Sequence, residues 1–80
     1  MRQGDTSKTV ATLFEETKGV LAANVKAFRI GAGMSQEELG LHIGADQSYI
    51  SHIEAGKFNP TLKSLCEIAA ILEVDVRELL

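Results

Sequence analysis

Four uncharged polar residues stand close together near the middle of the 80-residue sequence: Gln47, Ser48, Ser51 and His52. Their spacing places them on one surface of an α-helix. Amide, hydroxyl and imidazole groups both donate and accept hydrogen bonds without a strong charge, as the base edges in a DNA major groove require. A helix that is merely solvated more often carries charged residues on its outer face. Taken alone, these residue types fit an ordinary solvated helix face as well as base-edge recognition.

The composition predicts one small domain. With 45% apolar residues, 80 residues form a core that supplies only about 3 to 5 kcal/mol of net stability, so we expect support from a partner subunit. The single cysteine, Cys66, excludes an internal disulfide and a thiolate metal cluster, and we expect it at or near the core. No apolar run approaches the about 20 residues that span a bilayer, so we expect a cytoplasmic protein with no membrane partner.

The charge balance is acidic. A formal net charge of −3 and a pI near 5.2 argue against a basic protein that coats nucleic acid regardless of sequence. Any affinity for DNA must come from local charge, and Lys57 and Lys63, close to the end of the polar helix, could supply it, with Lys26 a further candidate. Because few phosphates can be neutralised, we expect modest affinity from a monomer and a reliance on dimers.

Helix signals divide the chain into two parts. Residues 1–19 are predicted to form an arm or an extra N-terminal helix, because Gly19 interrupts apolar residues at helical spacing. Residues 20–80 are predicted to form the domain, and its first helix runs from Val20 to a stop at Gly33.

The second and third helices are predicted by their caps. Ser35 and Glu38 have the spacing of a capping box, in which each side chain bonds the backbone N–H of the other residue. Gly44 closes the second helix, and Asp46 caps the third. Two short helices joined by a tight glycine turn, over about residues 35–55, form a helix-turn-helix motif.

Two further caps begin the last helices. Thr61 precedes a fourth helix with apolar residues along one side, and Asp75 with Glu78 repeats the capping box before a short fifth helix. No β-branched run of alternating polarity indicates a strand. The predicted fold class is all-α with five helices.

The chain resembles the Cro/repressor (Xre-type) DNA-binding domain, a five-helix lambda-repressor-like fold, over about 60 of its 80 residues, from VKAFRIGAG to the closing VRELL. The matching motifs are S-Q-E-E-L, the glycine before the third helix, Y-I-S-x-I-E-x-G, N-P-T-L and V-x-x-L-L. Within that family, D-x-S-Y-I-S-x-I-E is similar to restriction-modification controller proteins. The resemblance implies that the third helix enters a DNA major groove.

The same resemblance implies roles for individual positions. Gln36 is expected to bond a phosphate and to buttress the third helix. Arg29 and Glu54 match an ion pair that locks the first helix to the third. The base-reading positions are Gln47, Ser48, Ser51 and His52. The positions that usually touch the DNA backbone are Tyr49, Lys57 and Asn59.

Three positions leave questions open. Gly40 stands where the family commonly has Ala; it allows a close helix crossing at a cost of about 1 kcal/mol in helix propensity. Ser48 is shorter than the Arg or Gln often found there, which weakens the expectation of a direct base contact. Tyr49 is interpreted as an aromatic residue at the edge of the core or as a phosphate contact, and both can hold.

The last apolar residues are expected to form a dimer interface, since an open apolar end on so small a domain favours association. These residues are Val76, Leu79 and Leu80. A cap over the domain's own core is the alternative.

We therefore predict a sequence-specific transcriptional regulator that binds a pseudo-palindromic operator in double-stranded DNA as a homodimer, with half-sites about one helical turn apart. Restriction-modification controller, phage-type repressor and antitoxin remain open. The rival hypothesis is a helical protein-interaction module with the same fold, suggested by the acidic balance and the few lysines. Neither hypothesis calls for a cofactor, a metal or a small-molecule ligand, and no paired carboxylates, triad or phosphate-binding loop indicates an enzyme.

Overall fold

The computed structural model describes residues 8–80, and within them the fold is all-helical, as predicted. The elements are α1 Val10–Gly31, α2 Gln36–His42, α3 Gln47–Glu54, α4 Leu62–Leu72 and a 3-10 helix Val76–Leu79. The described residues contain no strand. In place of the predicted fifth α-helix there is a 3-10 helix of four residues, a single tight turn of the kind common in short helical segments.

The first helix is longer than predicted. α1 begins at Val10, where the Thr9 hydroxyl accepts a hydrogen bond from the Thr12 backbone N–H at 3.1 Å, and it continues through Gly19. One glycine costs a helix about 1 kcal/mol, too little to break a segment rich in Ala, Leu, Glu and Lys. The predicted boundary after Gly19 therefore falls inside a continuous helix. Residues 1–7 of the predicted arm lie outside the described residues.

The predicted caps are present at the starts of the later elements. The Ser35 hydroxyl accepts from the Glu38 N–H at 3.0 Å, and the Glu38 carboxylate accepts from the Ser35 N–H at 2.8 Å. The Asp46 carboxylate accepts from the Tyr49 N–H at 3.1 Å. The caps of α4 and of the 3-10 helix are Thr61 and Asp75. These local bonds satisfy backbone donors that a helix start leaves free, so each element begins where short-range chemistry predicts.

All five elements contribute to one core. The largest fully buried side chains are Val25, Leu39, Ile50, Ile53, Ile68 and Leu79. Burying an aliphatic side chain of this size is worth about 1.5 to 3 kcal/mol, so these contacts hold α3 against α1 and α2 against α3 and α4, and they orient the helix-turn-helix. In the part of the chain that the structure describes, no helix is both long and apolar enough to cross a membrane.

Two residues lie elsewhere than the sequence predicted. Leu79, expected at a dimer interface, is 0% exposed and belongs to the core of its own chain, where the Asn24 side-chain amide donates to its carbonyl oxygen at 3.2 Å. Of its expected companions, Val76 is half-buried and Leu80 is exposed. Cys66, expected at or near the core, is exposed. The residues of α4 that are buried in the core are Leu65, Ile68, Ala69 and Leu72.

The turn between α2 and α3 depends on two glycines. Gly44 has a φ of +73°, a left-handed conformation that glycine adopts without strain. Gly40 lies within α2, and a Cβ atom there would meet the Asp46 carbonyl oxygen at 2.8 Å and the Ala45 carbonyl oxygen at 3.0 Å. In this chain the backbone of the turn fills the space that an alanine side chain would need.

An ion pair joins α1 to the end of α3. Arg29 donates from Nε to Glu54 Oε2 at 2.6 Å and from Nη2 to Glu54 Oε1 at 3.0 Å. Its Nη1 donates to the Met34 carbonyl oxygen at 2.8 Å. Both charged side chains are largely buried, and the hydrogen bonds to Glu54 raise the pKa of Arg29. The two charges are thus paired and hydrogen-bonded where neither would be stable alone.

Replacing Gly40 by Val is expected to destabilise the fold by about 1 to 3 kcal/mol, because the backbone of the turn must move. Gly19→Val is the matched control: a Cβ at Gly19 meets no atom within 4 Å, and valine has the better helix propensity. Urea denaturation followed by circular dichroism compares the two variants. Equal stabilities would contradict the close approach at Gly40.

Glu54→Gln is expected to lower the free energy of unfolding by about 3 kcal/mol or more, because Arg29 would stay charged and buried without a counter-charge. Glu16→Gln is the control, since it removes an exposed pair with Lys8 at 2.8 Å and should leave stability nearly unchanged. The measurement is urea denaturation at neutral pH. A loss as small as that of the control would mean that the buried pair does not hold α1 to α3.

Acid is expected to weaken the start of α3. The Ser48 hydroxyl, and after it the Tyr49 N–H, hold the pKa of the Asp46 carboxyl below its ordinary value of 3.8. A lowered pKa in the folded state gives stability that is complete above the ordinary value and is lost as the pH falls below it. Asp46→Asn keeps an N-cap but does not titrate. Thermal melts at about pH 6 and about pH 3 should therefore show a smaller loss for the variant, and equal losses would refute this effect.

Candidate nucleic-acid interface

α3 has one side in the core and the other open to solvent. Ile50 and Ile53 are fully buried. The residues predicted to read bases lie on the opposite side: Gln47, Ser48 and His52 are exposed, and Ser51 is half-buried. The fold thus brings the four uncharged polar side chains together on one surface of a helix whose position the core determines.

Gln36 connects this surface to the buried ion pair. Gln36 Nε2 donates to Glu54 Oε1 at 3.1 Å, and Gln47 Nε2 donates to Gln36 Oε1 at 3.5 Å, a long bond. Because a carboxylate only accepts hydrogen bonds, Glu54 orients the Gln36 amide with its nitrogen inward and its oxygen toward Gln47. Gln47 therefore keeps its own oxygen and one N–H for an outside partner. Gln36 lies at the start of α2, against α3, where the resemblance placed it.

The Ser48 side chain hydrogen-bonds to Asp46, the N-cap residue of its own helix. Its hydroxyl donates to Asp46 Oδ1 at 2.7 Å, and this bond is the main cause of the lowered pKa of Asp46. The hydroxyl proton is therefore in use, and the Ser48 oxygen can only accept from an outside donor. Ser48 can therefore contact only a hydrogen-bond donor, whereas Gln47 can contact a donor or an acceptor.

Tyr49 packs against an aromatic residue that the sequence interpretation missed. The ring of Tyr49, half-buried at the edge of the core, meets the ring of Phe58 edge to face, with centroids 5.0 Å apart. Such pairs are worth about 0.5 to 1.5 kcal/mol beyond the area they bury. Phe58 lies in the loop after α3, so the pair holds that loop against the helix. An aromatic residue directly after Lys57 was the available signal.

The predicted backbone-contact residues surround the end of α3. Lys57 and Asn59 lie in the loop between α3 and α4, Lys63 lies in the first turn of α4, and all three are exposed. The Lys57 backbone N–H donates to the His52 carbonyl oxygen at 3.0 Å across Gly56, whose φ is +70°, and this bond closes the C-terminal end of α3. Within residues 8–80 neither lysine forms an ion pair. Both ammonium groups are thus available to an anion beside the polar face.

A helix-turn-helix family model matches residues 25–79 of the chain. A hypothetical transcription factor of Neisseria meningitidis serogroup B is 38% identical over 66 residues, which are 82% of this chain and 62% of that protein. The chain therefore spans less than two thirds of the length of this curated relative.

Two solved structures of restriction-modification controller proteins have the same fold. The crystal structure of C.AhdI from Aeromonas hydrophila has a TM-score of 0.75 and 30% identity, covering 79% of this chain and 96% of that one. The tetramer of C.Esp1396I in complex with its natural 35-base-pair operator has a TM-score of 0.68 and 32% identity, covering 79% and 93%. With more than half of its residues matched by the family model and its two short helices joined at Gly44, this chain belongs to the helix-turn-helix family.

Proposed function

We propose that this protein is a sequence-specific DNA-binding regulator of transcription that acts as a homodimer in the cytoplasm. Each copy places α3 in one of two successive major grooves of a pseudo-palindromic operator, with half-sites about one helical turn apart. The domain is of the lambda-repressor-like type, with the 3-10 helix in the place of the fifth helix. No cofactor takes part, and the role requires no catalytic step.

The observation that carries the proposal is the uncharged outer face of α3. The amide of Gln47 has an oxygen and an N–H free, the pair of groups that binds adenine at N6 and N7. The exposed imidazole of His52 can donate to guanine at N7 or O6, and Ser51 can donate or accept. A well-formed bidentate pair discriminates against a wrong base by about 1 to 3 kcal/mol.

Position on the duplex would come from the residues around this face. Lys57 and Lys63 would contact phosphates as cations, and Asn59 and Tyr49 would do so through neutral hydrogen bonds. The Gln36 amide, whose nitrogen already donates to Glu54, would approach a phosphate with the second of its N–H groups. So few cations on an acidic protein give one copy modest affinity, which is why the proposal requires two copies on one site.

Among transcriptional regulators with this fold, we favour a restriction-modification controller. Similarity to two restriction-modification controller proteins, one of them described in complex with its operator, supports a controller role. A phage-type repressor and an antitoxin are the alternatives on the same fold. A protein-interaction module without DNA binding is the alternative of another class.

Selection from random DNA duplexes tests the proposal directly. The wild-type protein is expected to recover a two-fold symmetric motif at low salt. Gln47→Ala and His52→Ala should each relax the preference at one position per half-site by about 1 to 3 kcal/mol, because each removes a base-reading group. Circular dichroism should be unchanged, since both side chains are exposed. Identical motifs from the wild type and both variants would show that these residues do not read bases.

Lys63→Ala is the matched control. Losing one phosphate contact should weaken binding to all sequences about equally and reduce the slope of log affinity against log salt by about one, with the motif unchanged. If no duplex is enriched even at low salt, the regulator proposal fails and the interaction module is favoured.

A further inference from the structure

The first half of α1 projects beyond the core. We name Val10–Gly19 the α1 overhang; it precedes the residues that match the family model. Its large apolar side chains are open to solvent, with Val10 83%, Leu13 49% and Phe14 41% exposed. A helix in isolation tends to expose polar groups, so this amount of apolar surface requires an explanation.

The exposed apolar residues continue the stripe that α1 buries in the core. Leu21, Val25 and Phe28 face the core, and seven residues before Leu21 the same side of the helix carries Phe14. Val10 lies one helical turn earlier on that side, while Leu13 flanks it. Within residues 8–80 the overhang therefore presents a core-type surface that the rest of the described chain leaves exposed.

An apolar cavity lies at the base of the overhang. Its volume is about 180 Å³, and its lining joins α1 to the start of α4 and to the exposed Leu80. The lining residues are Phe14, Thr17, Lys18, Leu21, Asn59, Pro60, Leu65 and Leu80. A cavity of about 150 Å³ holds a benzene molecule, so this one has room for a leucine-sized side chain.

The charged side chains of the α1 overhang form ion pairs within residues 8–19. Lys8 pairs with Glu16 at 2.8 Å, and Lys18 pairs with Glu15 at 2.9 Å. The Lys18 ammonium also lies 4.4 Å from the centre of the Phe14 ring. Two identical copies of this surface would not repel each other, although the protein as a whole carries a net charge of −3. Among residues 8–80, the overhang offers a strongly charged partner only charges that are already paired.

We propose that the α1 overhang binds a second copy of this chain. The two overhangs pack antiparallel about a two-fold axis, so that the Val10 and Leu13 end of each helix lies over the cavity of the other copy. A projecting apolar helix and a cavity at its base, both on one chain, satisfy the self-complementarity that a two-fold interface requires. The exposed Leu80 borders the same cavity and joins the interface.

The exposed apolar surface here is large for so small a domain. Val10, Leu13, Phe14, Val20 and Leu80 are each 41% to 83% exposed, and burying them would contribute to the about 800 Å² per partner of a standard interface. The interface goes beyond the proposed function, because it assigns dimerisation to a segment outside the family match and can be measured without DNA.

Leu13→Glu tests the interface. In sedimentation equilibrium of the full chain, the wild type is expected to be a dimer, and the variant should have a dimer dissociation constant raised about 100-fold or more, because each copy would bury a carboxylate. Ile30→Glu is the matched control: it lies on the same helix, is 58% exposed and is outside the interface, so it should dimerise like the wild type. Circular dichroism should be the same for all three proteins.

Disulfide cross-linking tests which side of α1 faces the second copy. In a Cys66→Ser background, Thr17→Cys is expected to form an intermolecular disulfide on mild oxidation, whereas Ala23→Cys, exposed on the other side of α1, should not. A monomeric wild type, a Leu13→Glu variant that dimerises normally, or cross-linking at Ala23→Cys alone would each overturn the interface. If a two-fold motif is still selected in those cases, the proposed function stands and the α1 overhang has another occupant, a peptide or a small apolar ligand.

Discussion

The buried ion pair between Arg29 and Glu54 connects the packing of the core to the orientation of the polar side chains on α3. It joins the longest helix to the end of α3, and its carboxylate also accepts the bond from Gln36. Through Gln36 the pair determines how Gln47 presents its amide at the surface. A charge pair of this kind adds little net stability over an apolar pair, but it tolerates few alternative arrangements, because any shift leaves a buried charge unsatisfied. The orientation of the polar face is thus a consequence of electrostatics inside the domain.

The outer face of α3 favours binding to DNA, whereas the net negative charge of the whole chain opposes it. Neutral amide, hydroxyl and imidazole groups distinguish base edges, while an overall charge of −3 reduces attraction to any phosphate backbone. A protein built in this way gains selectivity at the expense of affinity for random DNA. In the proposed complex, Lys57 and Lys63 would restore some attraction beside the groove, and pairing two copies would multiply both effects. The small number of cations is therefore consistent with a regulator that acts at few sites.

The length of α1 leaves apolar surface outside the core. A domain of this size has a core of limited stability, and the α1 overhang carries apolar surface that the core cannot cover. Leu79 closes the core from inside, which leaves Leu80 and the cavity next to it on the surface. Association through that region would bury apolar surface that one copy exposes. Stability and a two-fold arrangement would then come from the same contact.

Most of the local architecture could be predicted from the sequence, because caps and glycine turns involve residues within about four positions of each other. The starts of α2, α3 and α4, the all-helical class and the polar face of α3 all follow from such short-range patterns. The exposure of Cys66 and the partnership of Phe58 with Tyr49 could not be predicted in this way, and for Leu79 the sequence left a dimer interface and a cap over the core both open. Each depends on which helix faces lie against each other in the packed domain, and helical periodicity narrows that choice without deciding it. The continuity of α1 through Gly19 has a different cause, since the helix formers on both sides outweigh the preference of a single residue.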